Sequence, residues 1–316
     1  MDRFRYGAAR RATRPFLIPA IAAILLLTLG TAVAAPAVVA ASKIDTEGAL
    51  LGNMILVMLG DHGIAVRNRL QLGPNNIVRA AILAGQIDIY PEYTGNGALF
   101  FHMETDPVWK SWARGYARVA ALDKAKNDLV WLAPAPANNT WVIAVRKDLA
   151  RRAGLRTMTD FARYVRSGGD VYLAASAEFV ESPSALPAFE AAYGFELTDR
   201  QLLTLSGGNT SATLRAAAEE MSGVNAAMAY GTDGAIAALG LVVLADDQGA
   251  QIVYAPAPVV RGAVLREYPQ LPGLLDPVFN SLTLDILQQL NAKIAVDGED
   301  AGAVATGYLK SRHFLP

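Results

Sequence analysis

The tetrapeptide Ala-Pro-Ala-Pro occurs twice in this chain, at residues 133–136 and 255–258. Alternating prolines fix φ at every second residue and favour stiff, extended connectors. If both copies are crossings, the chain builds one lobe, passes to a second lobe and returns to finish the first. The alternative is a pair of unrelated loops in an Ala-rich chain. Because both copies lie beside aromatic residues, we favour two lobes with a cleft between them.

Short apolar runs alternate with amphipathic segments along the chain, a pattern typical of α/β folds. Residues 141–145 and 224–230 are strand-like, and residues 159–166 have apolar residues at helical spacing. Thr46 is expected to cap a first helix, because hydroxyl side chains accept from free N–H groups there. The sequence predicts a two-lobed α/β protein, with residues 43–138 plus 256–316 as lobe 1 and residues 139–255 as lobe 2.

The first 42 residues differ in composition from the rest of the chain. Arginines are concentrated before residue 15, an uninterrupted apolar run follows from Phe16 to Leu29, and small residues suited to cleavage come next. This pattern predicts a secretory signal peptide over residues 1–42 and a mature protein in the periplasm. An uncleaved membrane anchor is the alternative, but the apolar run is shorter than the roughly 20 residues that a spanning helix needs.

The charge of the remaining chain argues against nucleic acid as a partner. Without residues 1–42 the chain has 23 basic and 28 acidic residues, a formal net charge of −5. Its Lys and Arg residues are scattered rather than gathered into a basic patch. The chain has no cysteine, so an exported protein would be held together by its hydrophobic core alone.

No motif of a catalytic centre occurs in the sequence. The three histidines, His62, His102 and His313, are not at metal-ligand spacing. The chain also lacks a nucleophile elbow and a phosphate-binding loop. We therefore predict a binding protein with no cofactor and no metal. The rival interpretation is a periplasmic enzyme on the same two-lobed scaffold, which would need a nucleophile and a base in the cleft.

Residues 88–97 combine two tyrosines, two carboxylates and a turn in ten positions. Pro91 favours extended geometry before it, and Gly95 and Gly97 permit the positive φ angles of a tight turn. We interpret the segment as a recognition loop that presents Tyr93 rather than burying it.

Aromatic residues lie beside Gly, Pro, Asn or Asp at the expected strand ends near the crossings: Tyr93, Trp141, Tyr230 and Tyr254. A quaternary ammonium has no N–H to donate, so its recognition depends on the electron-rich faces of several rings. Ordinary packing is the alternative for any one of these residues. Together they predict a cage for a small organic cation.

Five motifs in sequence order resemble the substrate-binding proteins of ABC-class osmoprotectant importers, the glycine betaine, proline betaine and choline group. They are Lys43-Ile44-Asp45-Thr46-Glu47 and residues 88–95, 138–141, 175–179 and 229–234. The resemblance is greatest to the stress-induced periplasmic branch of that group. It implies a type II periplasmic binding protein fold, whose two lobes close on a ligand in the interlobe cleft about two crossing hinge strands. It also implies a monomer whose partners are an ABC permease and its ATPase at the inner membrane.

The same resemblance implies a set of ligand-binding residues. Tyr93, Tyr230 and Tyr254 match tyrosines that cage a trimethylammonium group, and Trp141 matches a fourth tyrosine. Lys43 matches an anchor for the ligand carboxylate, and Asn139 stands where some members carry an acidic residue. The implied set is completed by Thr94, Glu178 and Thr232.

One departure from the family concerns the carboxylate of the ligand. After Phe179 many members carry an arginine that pairs with it, whereas this chain continues with Glu181-Ser182-Pro183. A charged, hydrogen-bonded anchor contributes about 1.5–3 kcal/mol. We therefore expect capture of a small quaternary-ammonium osmoprotectant with weak binding of glycine betaine. The alternative is a binding protein or sensor for a different small cationic or zwitterionic metabolite.

Overall fold

The computed structural model describes residues 36–205 and 210–315. This part of the chain contains two mixed five-stranded β-sheets with helices packed against them, which confirms the two-lobed α/β class. Most of the predicted signal peptide, up to residue 35, lies outside the described residues. Within the described ranges, no helix is both long enough and apolar enough to span a bilayer.

The first sheet has the strand order β2-β1-β3-β10-β4. Its strands are β1 (Val38–Lys43), β2 (Val66–Gly73), β3 (Ile89–Tyr93), β4 (Leu129–Trp131) and β10 (Pro256–Arg261). β1 runs parallel to β2 and β3, whereas β10 runs antiparallel to β3 and β4.

The second sheet repeats this layout, in the order β7-β6-β8-β5-β9. Its strands are β5 (Trp141–Arg146), β6 (Leu173–Ser176), β7 (Leu202–Leu205), β8 (Ala226–Tyr230) and β9 (Leu241–Val243). β6 runs parallel to β7 and β8, and β5 runs antiparallel to β8 and β9. Each sheet thus has one antiparallel pair at its centre, β3 with β10 and β5 with β8.

Helices connect the strands of both sheets. Those associated with the first sheet are α1 (Thr46–Asp61), α2 (Asn75–Leu83), α3 (Asn96–Phe100), α4 (Trp112–Asn127), α11 (Gly262–Glu267), α12 (Leu271–Asn280), α13 (Leu284–Ala295) and α14 (Ala301–Ser311). Those associated with the second are α5 (Lys147–Ala153), α6 (Met158–Arg166), α7 (Ala177–Glu181), α8 (Leu186–Tyr193), α9 (Thr210–Ala218) and α10 (Ala235–Ala238). Short 3₁₀ helices cover Pro107–Lys110, Asp199–Gln201 and Met221–Gly223.

Helix α1 buries an apolar face in the largest core cluster. Leu50, Leu51, Met54 and Ile55 are fully buried there and pack with residues of α12, α13 and α14. Their spacing of three and four residues places them on one side of the helix. The predicted cap was wrong by one position, because Asp45 is the N-cap residue and accepts a hydrogen bond from Gly48 N at 2.7 Å.

The first strand begins before the predicted lobe boundary at residue 43. β1 pairs with β2 from Val38 onward and lies between β2 and β3. Val38, Ala40 and Ala41 are each at most 1% exposed. A lobe that started at residue 43 would lack one of the interior strands of its own sheet.

The chain crosses between the sheets in two segments that lie side by side. Ala135 N donates to Pro256 O at 2.8 Å, and Asn139 N donates to Tyr254 O at 3.0 Å. Thr140 Oγ1 donates to Ile252 O at 2.7 Å. The second Ala-Pro repeat is the start of strand β10 rather than a free connector. Two extended segments joined in this way form a paired hinge.

A buried ion pair stabilises the outer side of the first sheet. The two terminal guanidinium nitrogens of Arg79 on α2, Nη2 and Nη1, donate to the Asp123 carboxylate on α4 at 2.5 and 3.0 Å. Trp131 Nε1 and Asn127 Nδ2 donate to the same carboxylate, each at 2.7 Å. Asp123 is fully buried, so its charge depends on these donors.

We predict that Asp123→Ala lowers the free energy of unfolding by about 3–5 kcal/mol, because it leaves the Arg79 guanidinium buried without a counter-charge. Urea denaturation measures this loss. Glu219→Ala is the matched control, since Glu219 pairs with Arg215 on an exposed helix surface and its removal should change stability by about 0.5 kcal/mol or less. Equal effects of the two substitutions would contradict the prediction.

Candidate functional site

The two central antiparallel pairs bring four aromatic side chains to the cleft. Trp141, the first residue of β5, lies directly opposite Tyr230, the last residue of β8. In the other sheet, Tyr93 at the end of β3 lies opposite Pro256 at the start of β10, two residues after Tyr254. Ligands of open α/β sheets bind beyond the carboxyl ends of parallel strands, where Tyr93 and Tyr230 lie.

These residues line a cavity of about 520 Å³ between the sheets. Seven of the nine predicted ligand-binding residues line it: Lys43, Tyr93, Asn139, Trp141, Tyr230, Thr232 and Tyr254. Other lining residues, not predicted as ligand contacts, include Asp45, Glu47, Asn96, Asp233 and Asn291. The volume is within the range of small-molecule sites.

Thr94 and Glu178 do not line the cavity. Thr94 is buried and exchanges hydrogen bonds with the returning crossing, donating to Val253 O and accepting from Ala255 N, both at 3.1 Å. Thr94 therefore positions the hinge. Glu178 is exposed in the first turn of the short helix α7.

Two rings of the predicted cage are stacked on each other. The Trp141 and Tyr230 ring centroids are 4.4 Å apart with an interplanar angle of 27°. The edge of Phe179 lies against Trp141, with centroids 5.5 Å apart. Each stacked ring has one face against its neighbour, so at most its opposite face is available to a cation.

The interpretation of residues 88–97 as an exposed recognition loop was wrong. Residues 89–93 form the interior strand β3, and Tyr93 is only 6% exposed. The Tyr93 hydroxyl donates to Glu47 Oε1 at 2.8 Å. Gly95 has an ordinary φ of −64°, and a Cβ there would lie 2.6 Å from Tyr254 Cδ1. Glycine is needed at this position for space beside the ring rather than for a positive φ.

Lys43 is held by protein groups on two sides. Its Nζ forms a buried ion pair with Glu92 and lies 4.5 Å from the centroid of the Tyr93 ring. Glu92 also accepts hydrogen bonds from Tyr90 Oη at 3.0 Å and from Asn96 Nδ2 at 2.7 Å. The predicted carboxylate anchor therefore already has a carboxylate partner within the protein.

Glu47 is a buried carboxylate of the cavity wall that our sequence reasoning did not select. It accepts from Tyr93 Oη and, at 2.7 Å, from Asn291 Nδ2, and the Thr232 side chain also hydrogen-bonds to it. Burial raises the pKa of Glu47 to about 7 despite these donors, and the nearby charge of Asp45 acts in the same direction. Its position in the motif of residues 43–47 was the sequence signal that could have identified it as a site residue.

Helix α13 connects the two sides of the cleft. Gln288 Nε2 donates to Gly231 O at 2.7 Å, and Asn291 Nδ2 donates to Thr232 O at 2.9 Å. We call these two hydrogen bonds the α13 clasp. Gly234, in the same loop, packs so closely on α13 that a Cβ would lie 2.5 Å from Ala292 Cα. The clasp joins a helix of the first lobe to the loop after β8 in the second.

Residues 36–311 match the family described as the substrate binding domain of ABC-type glycine betaine transport systems. The match covers almost all of the described chain. This chain belongs to that family.

Named relatives agree with this family assignment. The chain is 60% identical over 279 residues to the glycine betaine-binding protein YehZ of Escherichia coli, covering 88% of this chain and 92% of that protein. It is 30% identical to a glycine-betaine-binding protein of Pseudomonas aeruginosa, covering 86% of this chain and 87% of that protein. The apo structure of YehZ superposes with a TM-score of 0.82 at 59% identity, covering 89% of this chain and 100% of that structure.

We predict that Gly234→Ala disfavours the arrangement described here, in which the loop after β8 packs against α13. The added methyl would overlap the backbone of α13, and overpacking of this kind costs about 1–3 kcal/mol. The ratio of molecules with this contact formed to molecules with it broken should fall about 5- to 150-fold. Because loss of the contact lets the two sheets move apart, the radius of gyration from small-angle X-ray scattering should increase.

The control for this substitution is Gly307→Ala in α14, where a Cβ would have no atom within 4 Å. That variant should keep the wild-type radius of gyration. An unchanged radius for Gly234→Ala, with its thermal stability also unchanged, would show that the loop does not depend on contact with α13.

We also predict a pH dependence of stability that comes from Glu47. The folded state keeps this proton up to about pH 7, whereas the ordinary pKa of a glutamate, which applies to the unfolded chain, is 4.5. The resulting stabilisation is complete below about pH 4.5 and is lost as the pH rises through 7, by about 3 kcal/mol in total. The unfolding free energy of wild type relative to Glu47→Gln should therefore fall between pH 5 and pH 8. A constant difference would contradict the prediction.

Proposed function

We propose that this protein captures a small quaternary-ammonium solute in the interlobe cavity and delivers it to an ABC permease with its ATPase. The single observation that carries the proposal is the cavity itself, where rings from the two sheets surround a space lined by carboxylates. Ring faces and negative charge are the groups that bind a cation lacking N–H donors. Membership of a glycine betaine transport family supports the same ligand class.

In this proposal the protein acts by lobe closure. Residues up to 138 together with 256–316 form one lobe, residues 139–255 form the other, and the paired crossings are the hinge. A ligand that contacts both lobes stabilises the closed state, which the permease can then distinguish from the open one. The proposal includes an exported, monomeric protein that works in the periplasm.

The proposal assigns binding rather than catalysis to the cleft. The relatives of this chain are named as binding proteins. Among the described residues, no group of three or more His, Cys, Asp or Glu side chains is arranged to hold a metal ion. A sensor for a different small cation remains the second candidate, because the predicted carboxylate anchor, Lys43, already pairs with Glu92.

Weak binding of glycine betaine is part of the proposal. Each ring face contributes roughly 0.5–2 kcal/mol to binding a cation, whereas a micromolar complex requires about 8 kcal/mol. Residues 181–183, which stand where many family members carry an arginine, lie at the C-terminal end of the short helix α7 and do not line the cavity. The ligand carboxylate therefore lacks an uncommitted cationic partner among the lining residues that the structure describes.

We predict that Trp141→Ala weakens binding of trimethylammonium ligands about 3- to 30-fold, because it removes one ring face and the support of Tyr230. Isothermal titration of the mature protein with glycine betaine, choline and carnitine measures this. Trp141→Tyr is the control, since it restores the family's usual ring and should retain binding. If wild type binds none of these ligands, the proposed function fails; if Trp141→Ala binds as wild type does, the cage assignment fails.

A further inference from the structure

The cavity wall has an unequal distribution of charge. Of the lining residues that the structure describes, Lys43 is the only Lys or Arg, whereas Asp45, Glu47 and Asp233 contribute carboxylates. The negative charge of Asp45 interacts with Glu47, Asp233 and Tyr230, so these groups are electrostatically coupled. The wall is therefore net negative, and ionisation of Glu47 adds one further negative charge to it.

Lys43 does not offset this charge for a ligand, because it is committed to Glu92. The Glu92 carboxylate is fully buried, and besides Lys43 it accepts from Tyr90, Asn96 and the Tyr93 backbone N–H. A ligand carboxylate that drew Lys43 away would leave this buried charge without its cation, which is strongly unfavourable. The Lys43–Glu92 pair thus behaves as a neutral unit of the wall.

The hydrogen bonds of Glu47 suit a ligand without N–H groups. Its Oε1 accepts from Tyr93 Oη and its Oε2 from Asn291 Nδ2, and Thr232 donates as well. The carboxylate therefore needs no donor from the ligand and acts on it through charge alone. Ring faces and an internally satisfied carboxylate together favour a quaternary ammonium and repel a carboxylate.

We propose that the cavity prefers a permanent organic cation without a carboxylate over the corresponding zwitterion, and that Glu47 determines this preference. The inference rests on the proposed function, because it concerns the ligand of the same cavity. It applies to quaternary-ammonium compounds as a class. The trimethylammonium head binds at the rings, and affinity is highest when the rest of the molecule is neutral.

Glycine betaine and its carboxamide are the sharpest pair of probes, because they share the trimethylammonium head and differ in one charged group. Isothermal titration of wild type with both compounds, and with choline as a second neutral-tailed cation, should give at least about tenfold tighter binding of the carboxamide than of glycine betaine. Choline should also bind more tightly than glycine betaine, as the carboxamide does.

Glu47→Gln should remove most of this preference. The ratio of carboxamide affinity to betaine affinity should fall about tenfold, mainly through weaker binding of the carboxamide. Gln288→Ala is the matched control, because it breaks one bond of the α13 clasp and leaves Glu47 with all of its hydrogen bonds. It should weaken the binding of both ligands by a similar factor and leave the ratio of their affinities unchanged. A purely structural role of Glu47 would likewise leave the ratio unchanged.

A pH series on wild type gives a second test that does not depend on a variant folding. The other charged or titratable groups of the cavity wall are Lys43 with its partner Glu92, Asp45, Asp233 and the tyrosines 93, 230 and 254. The charge of Glu178, which does not line the cavity, also acts on tyrosines 230 and 254. Because Glu47 ionises near neutrality, carboxamide affinity should rise about tenfold from pH 6 to pH 8. The affinity of Glu47→Gln, which keeps all the other groups, should stay nearly constant.

The outcomes separate this inference from the proposed function. If wild type binds glycine betaine as tightly as its carboxamide, or if the ratio is unchanged by Glu47→Gln and by pH, the inference is overturned while the function stands. If wild type binds neither compound nor choline, both fail. A preference for the carboxamide that depends on Glu47 supports both.

Discussion

The structure depends on the pairing of its two crossing segments. Hydrogen bonds between residues 135–140 and residues 252–256 hold the crossings side by side, so each sheet receives an antiparallel pair at its centre. Those pairs end at the cleft, and the rings of Tyr93, Trp141, Tyr230 and Tyr254 lie at or next to their ends. Thr94 adds hydrogen bonds to the returning segment, so a hinge position and a cage position are neighbours in sequence.

The electrostatics of the cleft follow from burial. Lys43 and Glu92 are both nearly excluded from water, and burying either charge without the other would cost free energy. They are therefore best described as one neutral unit. Among the described residues no cation pairs with Glu47, and its pKa is raised because desolvation outweighs the hydrogen bonds that it accepts. A cleft built in this way favours positive charge without offering a positive partner to an anion. The same carboxylate also bonds to Asn291 and Thr232, so it is connected to the contacts between α13 and the loop after β8.

Errors in the sequence-based predictions have identifiable physical causes. Tyr93 was expected to be exposed because proline and glycine surround it, yet Pro91 lies in an interior strand whose partner strand carries Pro256 and Pro258. Gly95 was assigned to a turn, whereas it is needed because the ring of Tyr254 packs against its backbone. For both residues a contact between positions distant in sequence decided the outcome. Glu178 is exposed on a short helix and does not line the cavity, but its charge acts on Tyr230 and Tyr254.

The sequence by itself determined the α/β class, the double crossing and the aromatic residues, because periodicity, proline spacing and residue type are local properties of the chain. Only the tertiary structure decided which groups form ion pairs, hydrogen bonds or packing contacts with one another. The commitment of Lys43 to Glu92, the stacking of Trp141 on Tyr230 and the position of Glu47 between Tyr93, Thr232 and Asn291 join residues from different strands, helices and lobes. The physical reason is that burial and electrostatic interactions depend on distance in space, which no local pattern in the sequence encodes.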